Sequence, residues 1–311
     1  MIEGIRRAAA KTASPWVKLG IGDDAALLQV PAGFELLVTT DLCVEDIHFR
    51  REWHPAKSVG HRCLARGLSD IAAMGGEPVA CFLSLALPPK LPQRWADNFM
   101  AGLLQLGRRF RTPLAGGDTS TAAKITADII VLGKVPAEKA LLRSKARSGD
   151  RIWVTGELGG SAATLKQLYS GGKISPTVSN RHFYPVPRLE VGRWLQKNNL
   201  ATAMIDISDG LSVDLAHICE ESAVDGVINL DAIPTAKTAD LSLALHGGED
   251  YELLFTAPKS ATLPKRIAGV LITEIGAIRP CGDRRASVKS KDAAGNLRLL
   301  RPEGWEHFSK I

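Results

Sequence analysis

Short segments that place aspartate beside glycine, serine or threonine recur between the apolar runs of this sequence and restrict what it can fold into. The five segments are GIGDDAA at residues 20–26, TTD at 39–41, LSDIAAMGG at 68–76, AGGDTS at 115–120 and DISDGLSVD at 206–214. Most of them end an apolar strand or form the turn after it, whereas the third lies on a predicted helix. Taken singly, each is explained by a turn or a helix cap, and Asp206 or Ser208 suits the N-cap of the helix that follows.

Taken together, the five segments predict a site for a hard cation and a phosphorylated ligand. Mg²⁺ takes carboxylate, hydroxyl and water oxygens and completes its shell with substrate phosphates. Glycine lets the backbone approach a phosphate closely and leaves its N–H groups free to contact an anion. A sixth segment, HGGEDYELLF at 246–255, places three acids at the start of an apolar strand. They suit either a turn with a solvated strand edge or a polar substrate contact.

The hydrophobic periodicity predicts helices and strands in both halves of the chain. Helices are predicted over 58–74, on the face formed by Trp95, Phe99, Leu103, Leu106 and Phe110, and over 161–169, 188–198 and 211–221. Strands are predicted over 36–40, 80–87, 125–135, 151–155, 203–207, 227–230 and 251–255, the first of them as a buried strand. This irregular alternation favours an α+β or mixed α/β fold. A polar stretch near 137–148 predicts a border between one domain at 1–137 and a second at 148–311.

Composition and charge leave two classes of function open. The chain carries 39 Lys and Arg against 33 Asp and Glu, a formal charge of +6, which suits a phosphorylated substrate, an anionic surface or nucleic acid. A basic nucleotide- or nucleic-acid-binding module is therefore an alternative to an enzyme. The acidic segments oppose it, because they repel phosphate unless metal ions intervene. Aromatic residues make up only 5%, so stacking platforms for single strands are scarce.

The cysteines and the chain's apolar runs predict a cytoplasmic protein. Its five cysteines form no CxxC pair, and an odd number without a framework fits reduced thiols. The first residues lack the apolar core of a signal peptide, and the longest apolar runs are far shorter than a membrane span. We therefore expect no membrane association.

Several common catalytic motifs are absent or misplaced. Residues 20–25 match GxGxxA, but they are followed by a pattern typical of hairpin strands rather than by a helix, and consecutive aspartates repel a pyrophosphate. The sequence contains no P-loop, no HExxH and no GxSxG, so neither a Walker-type nucleotide site nor serine hydrolase chemistry is indicated.

The motifs, in their order along the chain, resemble those of the thiamine-monophosphate kinases. They run as GIGDDAA, TTDLCVEDIHF, LSDIAAMGG, GGDTS, LLRSKARSGD, IDISDGLSVDL, GGEDYEL and GWEHF, from about residue 20 to residue 308. The wider superfamily includes aminoimidazole ribonucleotide synthetase, selenophosphate synthetase and a hydrogenase-maturation dehydratase. Another ATP-using synthetase of this superfamily, similar to aminoimidazole ribonucleotide synthetase, is the alternative enzyme, although GGEDYEL and GWEHF argue against it.

The resemblance implies a fold, a reaction and an assembly. It implies two α+β domains, the N-terminal one binding metal and ATP and forming a β-barrel-like sheet across a homodimer interface. The C-terminal α+β domain completes the nucleotide and substrate site. The implied reaction is transfer of the γ-phosphoryl group of ATP to thiamine monophosphate, assisted by several Mg²⁺ ions and giving thiamine diphosphate. It involves neither nucleic acid nor a membrane.

The resemblance also assigns roles to individual residues. The implied Mg²⁺ ligands are Asp24, Thr39, Thr40, Asp41, Asp70, Asp118, Asp206 and Asp209. The implied ATP contacts are Gly117, Arg143 and Ser208, and the implied contacts to thiamine monophosphate are His48, Glu249 and Trp305. No catalytic residue separate from the metal ligands is implied. From the residues alone, Arg143 also suits a solvated loop, His48 a loop cap and Trp305 an anchor for the tail. Asp46 departs from the motif, which usually has glycine there.

Overall fold

The computed structural model describes residues 2–9, 11–12, 14–21, 25–282 and 285–304 of the chain. The chain divides into two compact units. The first contains Met1–Ile71, Gly76–Lys139 and Ser175–Pro187, and the second contains Ala72–Gly75, Ala140–Ile174 and Arg188–Ile311. The first unit therefore includes a short segment, 175–187, whose neighbours along the chain belong to the second unit.

The first unit combines three helices with a small hairpin and a four-stranded sheet. Its elements are α1 (Ile2–Ala9), β1 (Val17–Leu19), β2 (Leu27–Leu28), β3 (Phe34–Val44), α2 (Ala56–Ala73), β4 (Glu77–Leu87), α3 (Gln93–Arg109), β5 (Leu114–Thr121) and β6 (Thr126–Pro136). The strand order is β3-β6-β4-β5, in which only the β4–β5 pair is parallel. The predicted helix at 58–74 and the strands at 80–87 and 125–135 are confirmed with small changes at their ends.

Helices α2 and α3 pack closely because glycines meet at their contact. A Cβ atom on Gly60 would lie 1.9 Å from the carbonyl oxygen of Phe99, and one on Gly102 would lie 1.9 Å from that of Lys57. Phe99 and Leu68 are completely buried in this core. One face of the sheet is thus covered by apolar side chains of the helices.

The opposite face of the sheet is open along β3, whereas over β4 and β6 it is partly covered, because Trp16, Val17 and Leu28 share an apolar cluster with Phe82, Ile130 and Leu132. The open part along β3 corrects one prediction. The strand predicted at 36–40 exists within β3, but it is not buried: Leu36, Val38 and Leu42 are 45%, 62% and 53% exposed. These residues alternate with the inward-facing ones, and no element of the described chain covers them. An apolar run alone does not distinguish a strand buried on both faces from an edge strand with one bare face.

The second unit is built on a larger sheet. Its elements are β7 (Arg151–Thr155), α4 (Gly160–Tyr169), α5 (Leu189–Lys197), β8 (Ala203–Asp206), α6 (Leu211–Ser222), β9 (Val224–Asn229), α7 (Leu241–His246), β10 (Leu253–Ala257), β11 (Arg266–Ile267), β12 (Val270–Pro280), β13 (Val288–Lys291) and β14 (Leu297–Leu299). The strand order is β14-β13-β9-β12-β7-β10-β8, with β11 beside β12. Val154 and Leu254 on the sheet pack in one core with Leu215 and Ile218 of α6.

Both units mix helices with mainly antiparallel strands in open sheets, so the predicted mixed α/β architecture is confirmed at that level. Segment 175–187 contains no regular element. It is nevertheless well anchored in the first unit. Phe183 is fully buried, Arg62 donates to the carbonyl of His182, and Nε2 of His61 lies 2.7 Å from the carbonyl oxygen of Pro185. In the described part of the chain, no helix combines the length and hydropathy needed to cross a bilayer.

Candidate active site

Strand β3 presents one threonine and one aspartate of the TTD segment toward helix α2. Alternate residues of a strand share a face, so Thr39 and Asp41 point the same way. Residues 66 and 70, four apart on α2, likewise share one helix face. Thr39 Oγ1 donates a hydrogen bond to Asp70 Oδ2, and Arg66 Nε lies 3.4 Å from Asp41 Oδ1. The structure therefore brings Thr39, Asp41 and Asp70 together.

The negative charge of the buried Asp41 carboxylate is only partly balanced by its neighbours in the first unit. Burial raises its pKa above the usual value, the Arg66 guanidinium partly opposes this rise, and the nearby Asp128 carboxylate adds to it. Asp41 Oδ2 is buried and accepts no hydrogen bond from any residue that the structure describes. A buried carboxylate oxygen without a donor is stabilised by a cation.

Thr40 and Asp118 lie on the open face of the sheet, and a third residue joins them there. Strand registers place Leu42, Asp128, Ser84 and Asp118 in one row across all four strands. Thr40 Oγ1 donates a hydrogen bond of 2.8 Å to Asp128 Oδ1. The sequence analysis did not select Asp128, although a single aspartate in the apolar run 125–135 is a signal that could have identified it.

Asp118 and Gly117 belong to β5, a strand that the sequence analysis did not predict, because LAGGDTST looks like a turn. Gly117 has a φ of +149°, and a Cβ atom there would lie 1.9 Å from the Leu83 carbonyl oxygen. Beside Gly117 and Asp118 lies a cavity of about 110 Å³, whose apolar lining includes Ile5, Leu85 and Met100. This cavity is large enough for part of a planar ring and borders the glycine-rich strand.

In the second unit, the DISDG segment joins β8 to α6. Asp206 is buried at the end of β8, and Asp209 is half-buried in the following loop. Neither Asp206 nor Ser208 caps α6, which begins after Gly210 without a side-chain cap. Instead, Asp214 Oδ2 accepts hydrogen bonds from the backbone N–H groups of Asp209 at 3.2 Å and Gly210 at 3.1 Å. Burial, and then the charges of Asp206 and Asp209, raise the pKa of Asp214 well above its usual value.

The GGEDYEL segment contributes one candidate contact and two structural acids. The Glu249 N–H donates to the Ser208 carbonyl oxygen at 2.7 Å, so these two predicted site residues are neighbours. Asp250 accepts a hydrogen bond of 2.7 Å from the Gly159 N–H ahead of α4, and burial raises its pKa to about 7. Glu252 is buried and paired with Arg188, whose Nε lies 2.6 Å from Glu252 Oε2.

The remaining predicted residues lie in loops. Arg143 is exposed in a short 3-10 turn, Arg143–Lys145, and its carbonyl oxygen accepts a hydrogen bond of 2.7 Å from Ser222 Oγ. His48 Nδ1 accepts a hydrogen bond of 3.0 Å from the Val44 N–H, as expected for a loop cap. Asp46 has a φ of +67°, which explains why the motif usually has glycine there. Asp24 and Trp305 lie outside the described residues.

The oxygen donors of the first unit suit a hard cation. Among the described residues, no three His, Cys, Asp or Glu side chains converge closely enough to hold a metal ion by themselves. Mg²⁺ does not require such a cage, because it is usually bound by one or two carboxylates, several waters and substrate phosphates. Asp41 Oδ2 lacks a donor, and both TTD threonines give their hydroxyl protons to aspartates. The donor set thus fits Mg²⁺ that arrives with a nucleotide.

Comparison with known proteins defines the class of fold. The model of the AIR synthase related protein N-terminal domain matches residues 22–135, and that of the C-terminal domain matches residues 147–289. The thiamine-monophosphate kinase of Haemophilus influenzae is 38% identical over 311 residues, which cover 94% of this chain and 93% of the relative. The chain therefore belongs to the thiamine-monophosphate kinase family, which confirms the resemblance seen in its motifs.

Two solved structures support this assignment. The crystal structure of thiamine-monophosphate kinase from Stenotrophomonas maltophilia K279a is 33% identical, with a TM-score of 0.80 over 92% of this chain and 94% of that one. A structure of AaThiL complexed with AMPPCP and TMP is 30% identical, with a TM-score of 0.79 over 99% of this chain and 96% of that one. The likeness to both thus extends over nearly the whole fold.

Proposed function

We propose that the chain transfers the γ-phosphoryl group of ATP to thiamine monophosphate and so forms thiamine diphosphate. The observation that carries the proposal is the relative complexed with AMPPCP, a non-hydrolysable ATP analogue, and TMP, because its fold matches 99% of this chain. Curated relatives of the same name, such as that of Haemophilus influenzae, match over nearly their full length. Residues 1–137 are proposed to bind metal and ATP, and residues 148–311 to complete the nucleotide and substrate site.

The proposed magnesium ligands are the carboxylates and hydroxyls of the TTD, LSD, GGD and DISD segments together with Asp24. The described ones are Thr39, Thr40, Asp41, Asp70, Asp118, Asp206 and Asp209. Bound Mg²⁺ would neutralise the repulsion between the donor and acceptor phosphates. The donorless Oδ2 atom of Asp41 and the hydrogen bond from Thr39 to Asp70 support this role in the first unit.

The acceptor needs little help from a general base. A phosphate monoester has a second pKa of about 6 and is largely ionised at neutral pH. The chain's task is therefore to hold two polyanions in line and to exclude water. Gly117 lets β5 approach the Leu83 carbonyl oxygen of β4 closely, and the apolar cavity beside it suits the nucleotide base. The exposed guanidinium of Arg143 is proposed to contact the transferred phosphoryl group.

The substrate side of the site is proposed to include His48, Glu249 and Trp305, and Ser208 is proposed to contact ATP. The hydrogen bond that joins Glu249 to Ser208 supports a continuous second-unit surface for both ligands. For Trp305, stacking on the cationic thiazolium ring is the proposed contribution, worth about 0.5–2 kcal/mol.

A homodimer is proposed to form through the open face of the first unit's sheet. Leu36, Val38 and Leu42 are exposed in a row along β3, and Thr40 lies between them on the same face. A bare apolar sheet face of this kind is typical of a covered interface. A second copy placed on it would complete the barrel-like sheet that the family resemblance implies.

Product analysis tests the proposed function. The purified chain is incubated with ATP, Mg²⁺ and either thiamine monophosphate or thiamine, and the thiamine species are separated after oxidation to fluorescent thiochromes. We expect thiamine diphosphate from the monophosphate alone, and none when EDTA is present. Phosphorylation of thiamine with no change in the monophosphate would contradict the proposal.

A further inference from the structure

Two consecutive threonines on β3 make matching hydrogen bonds on opposite faces of the strand. Thr39 donates to Asp70, a residue of the predicted metal-binding set, and Thr40 donates to Asp128, which no motif includes. Asp128 lies 88 residues further along the chain than Thr40, near the start of β6. The pairing is therefore a product of the sheet register, in which Asp128 lies opposite Leu42, two residues beyond Thr40.

We propose that Asp128 is a positioning residue for the cation site, acting through Thr40. This inference rests on the proposed function, because it takes Thr40 and Asp118 as parts of that site. Asp128 itself is assigned no contact with the reacting atoms.

The hydrogen bond fixes which side of the Thr40 hydroxyl can meet a cation. A threonine hydroxyl has one proton and two acceptor lone pairs. Because the proton is directed at Asp128 Oδ1, 2.8 Å away, the lone pairs point away from that carboxylate. A hydroxyl held in this way presents only acceptor oxygen to a hard cation, which is the arrangement that outer-shell carboxylates impose on metal ligands.

The position of Asp128 in the sheet also extends the negative charge of the open face. Asp118 and Asp128 both lie in register with Ser84, one on each side, so both project onto the face that carries Thr40. Within one copy of the chain, Asp118 and Ser84 are exposed and Asp128 is half-buried. The Asp128 carboxylate is also near enough to Asp41 to raise the pKa of that group.

Metal binding without turnover tests this inference directly. Mn²⁺ replaces Mg²⁺ and is titrated into the protein in the presence of AMPPCP, with free Mn²⁺ followed by electron paramagnetic resonance. We expect Asp128→Ala to weaken Mn²⁺ binding about tenfold, as is usual for loss of an outer-shell carboxylate. Asp128→Asn keeps an acceptor for Thr40 but removes the charge, so a smaller loss of Mn²⁺ affinity, about threefold, is expected. This variant provides the test if Asp128→Ala does not fold.

A double mutant and a matched control separate positioning from a general structural role. Thr40→Val should weaken binding to about the same extent as Asp128→Ala, and the double variant should be no weaker than Thr40→Val alone. Asp225→Asn is the control, because Asp225 accepts a comparable hydroxyl hydrogen bond of 3.0 Å from Ser287 in the second unit. It should leave Mn²⁺ binding unchanged.

Each outcome has a defined meaning. Binding by folded Asp128→Ala within twofold of the wild type, fully additive losses in the double variant, or no saturable Mn²⁺ binding by the wild type would overturn the inference. If the wild type binds Mn²⁺ and the variants behave as expected but no thiamine diphosphate forms, the proposed function fails while the role of Asp128 stands.

Discussion

Thr39 donates its hydroxyl proton to Asp70, which joins the TTD segment of β3 to the LSD segment of α2 across 31 residues of sequence. This contact is the structural basis for treating the two segments as one site. Two residues further along β3 lies Asp41, whose buried Oδ2 atom has no hydrogen-bond donor among the described residues. Thr39 and Asp70 are therefore the first residues to test by mutation.

Asp70→Asn should lower kcat/KM for thiamine diphosphate formation by about 100-fold or more, because a metal-facing carboxylate is lost. Thr39→Val should lower kcat/KM about tenfold. Thr39→Ser should keep most of the wild-type kcat/KM, since serine retains the hydroxyl donor. Steady-state assays at several Mg²⁺ concentrations measure these effects. Asp97→Asn on the exposed side of α3 is the control and should stay within twofold of the wild type. Near-normal activity of Asp70→Asn at limiting Mg²⁺ would contradict the assignment.

Gly117→Ala should destabilise the first unit and weaken ATP binding. The new Cβ would lie 1.9 Å from the Leu83 carbonyl oxygen, so β4 and β5 would have to separate, at a cost of roughly 2–5 kcal/mol from strain and overpacking. Gly33→Ala is the matched control, because Gly33 also has a positive φ, +80°, yet no atom lies within 4 Å of the added carbon. Thermal melting and ATP titration compare the two. If both variants lose the same melting temperature and ATP affinity, the effect comes from the positive φ angle and not from the close approach of the two strands.

The stability of the first unit should fall between pH 7 and pH 5 because of His61. Burial lowers the pKa of His61 to about 4 in the fold, whereas the unfolded side chain titrates near 6.5. Between these two pKa values the unfolded state binds a proton at His61 and the folded state does not. The free energy of unfolding therefore decreases as the pH falls. The expected loss from this residue is about 2 kcal/mol at pH 5. Urea unfolding of the wild type and of His61→Gln between pH 7 and pH 5 measures this loss. If the free energies of unfolding of the two proteins fall in parallel with pH, the prediction is wrong.

Val38→Glu should convert the proposed homodimer to a monomer. Val38 is 62% exposed at the centre of the open β3 face, and a second copy would bury it and its symmetry mate together. Sedimentation equilibrium should give twice the 33.3 kDa chain mass for the wild type and a dissociation constant at least about tenfold higher for the variant. Val178→Glu, on segment 175–187 and 73% exposed, should leave the mass unchanged. A wild type that is monomeric at assay concentrations would rule out the interface.

The sequence predicts elements with strong periodicity and fails where local composition is misleading. Helix α2 was predicted to within two residues because its apolar positions repeat at helical spacing. Strand β5 was missed, since Gly116, Gly117 and Asp118 have the composition of a turn, and β13 and β14 were missed because neither contains an apolar run. The bare face of β3 depends on what covers the sheet, which no local pattern contains.

The site was likewise predictable in its chemistry but not in its pairings. The threonines and aspartates of the motifs form a group rich in oxygen ligands, and their role as ligands stays a prediction. Their hydrogen-bond partners were not predictable: Asp128 is far from Thr40 in sequence, and Asp214, rather than the alternative cap residues Asp206 or Ser208, accepts from the N–H groups ahead of α6. Hydrogen bonds between distant segments follow from sheet register and helix placement, so they require the structure.

The most direct test of the proposed reaction is a ³¹P NMR time course of the purified chain with ATP, thiamine monophosphate and Mg²⁺. Direct phosphoryl transfer predicts that ADP and thiamine diphosphate accumulate in equal amounts, without orthophosphate, and that both stop accumulating when Mg²⁺ is removed. ATP consumption that releases orthophosphate while thiamine monophosphate stays unchanged would contradict phosphoryl transfer between the two substrates.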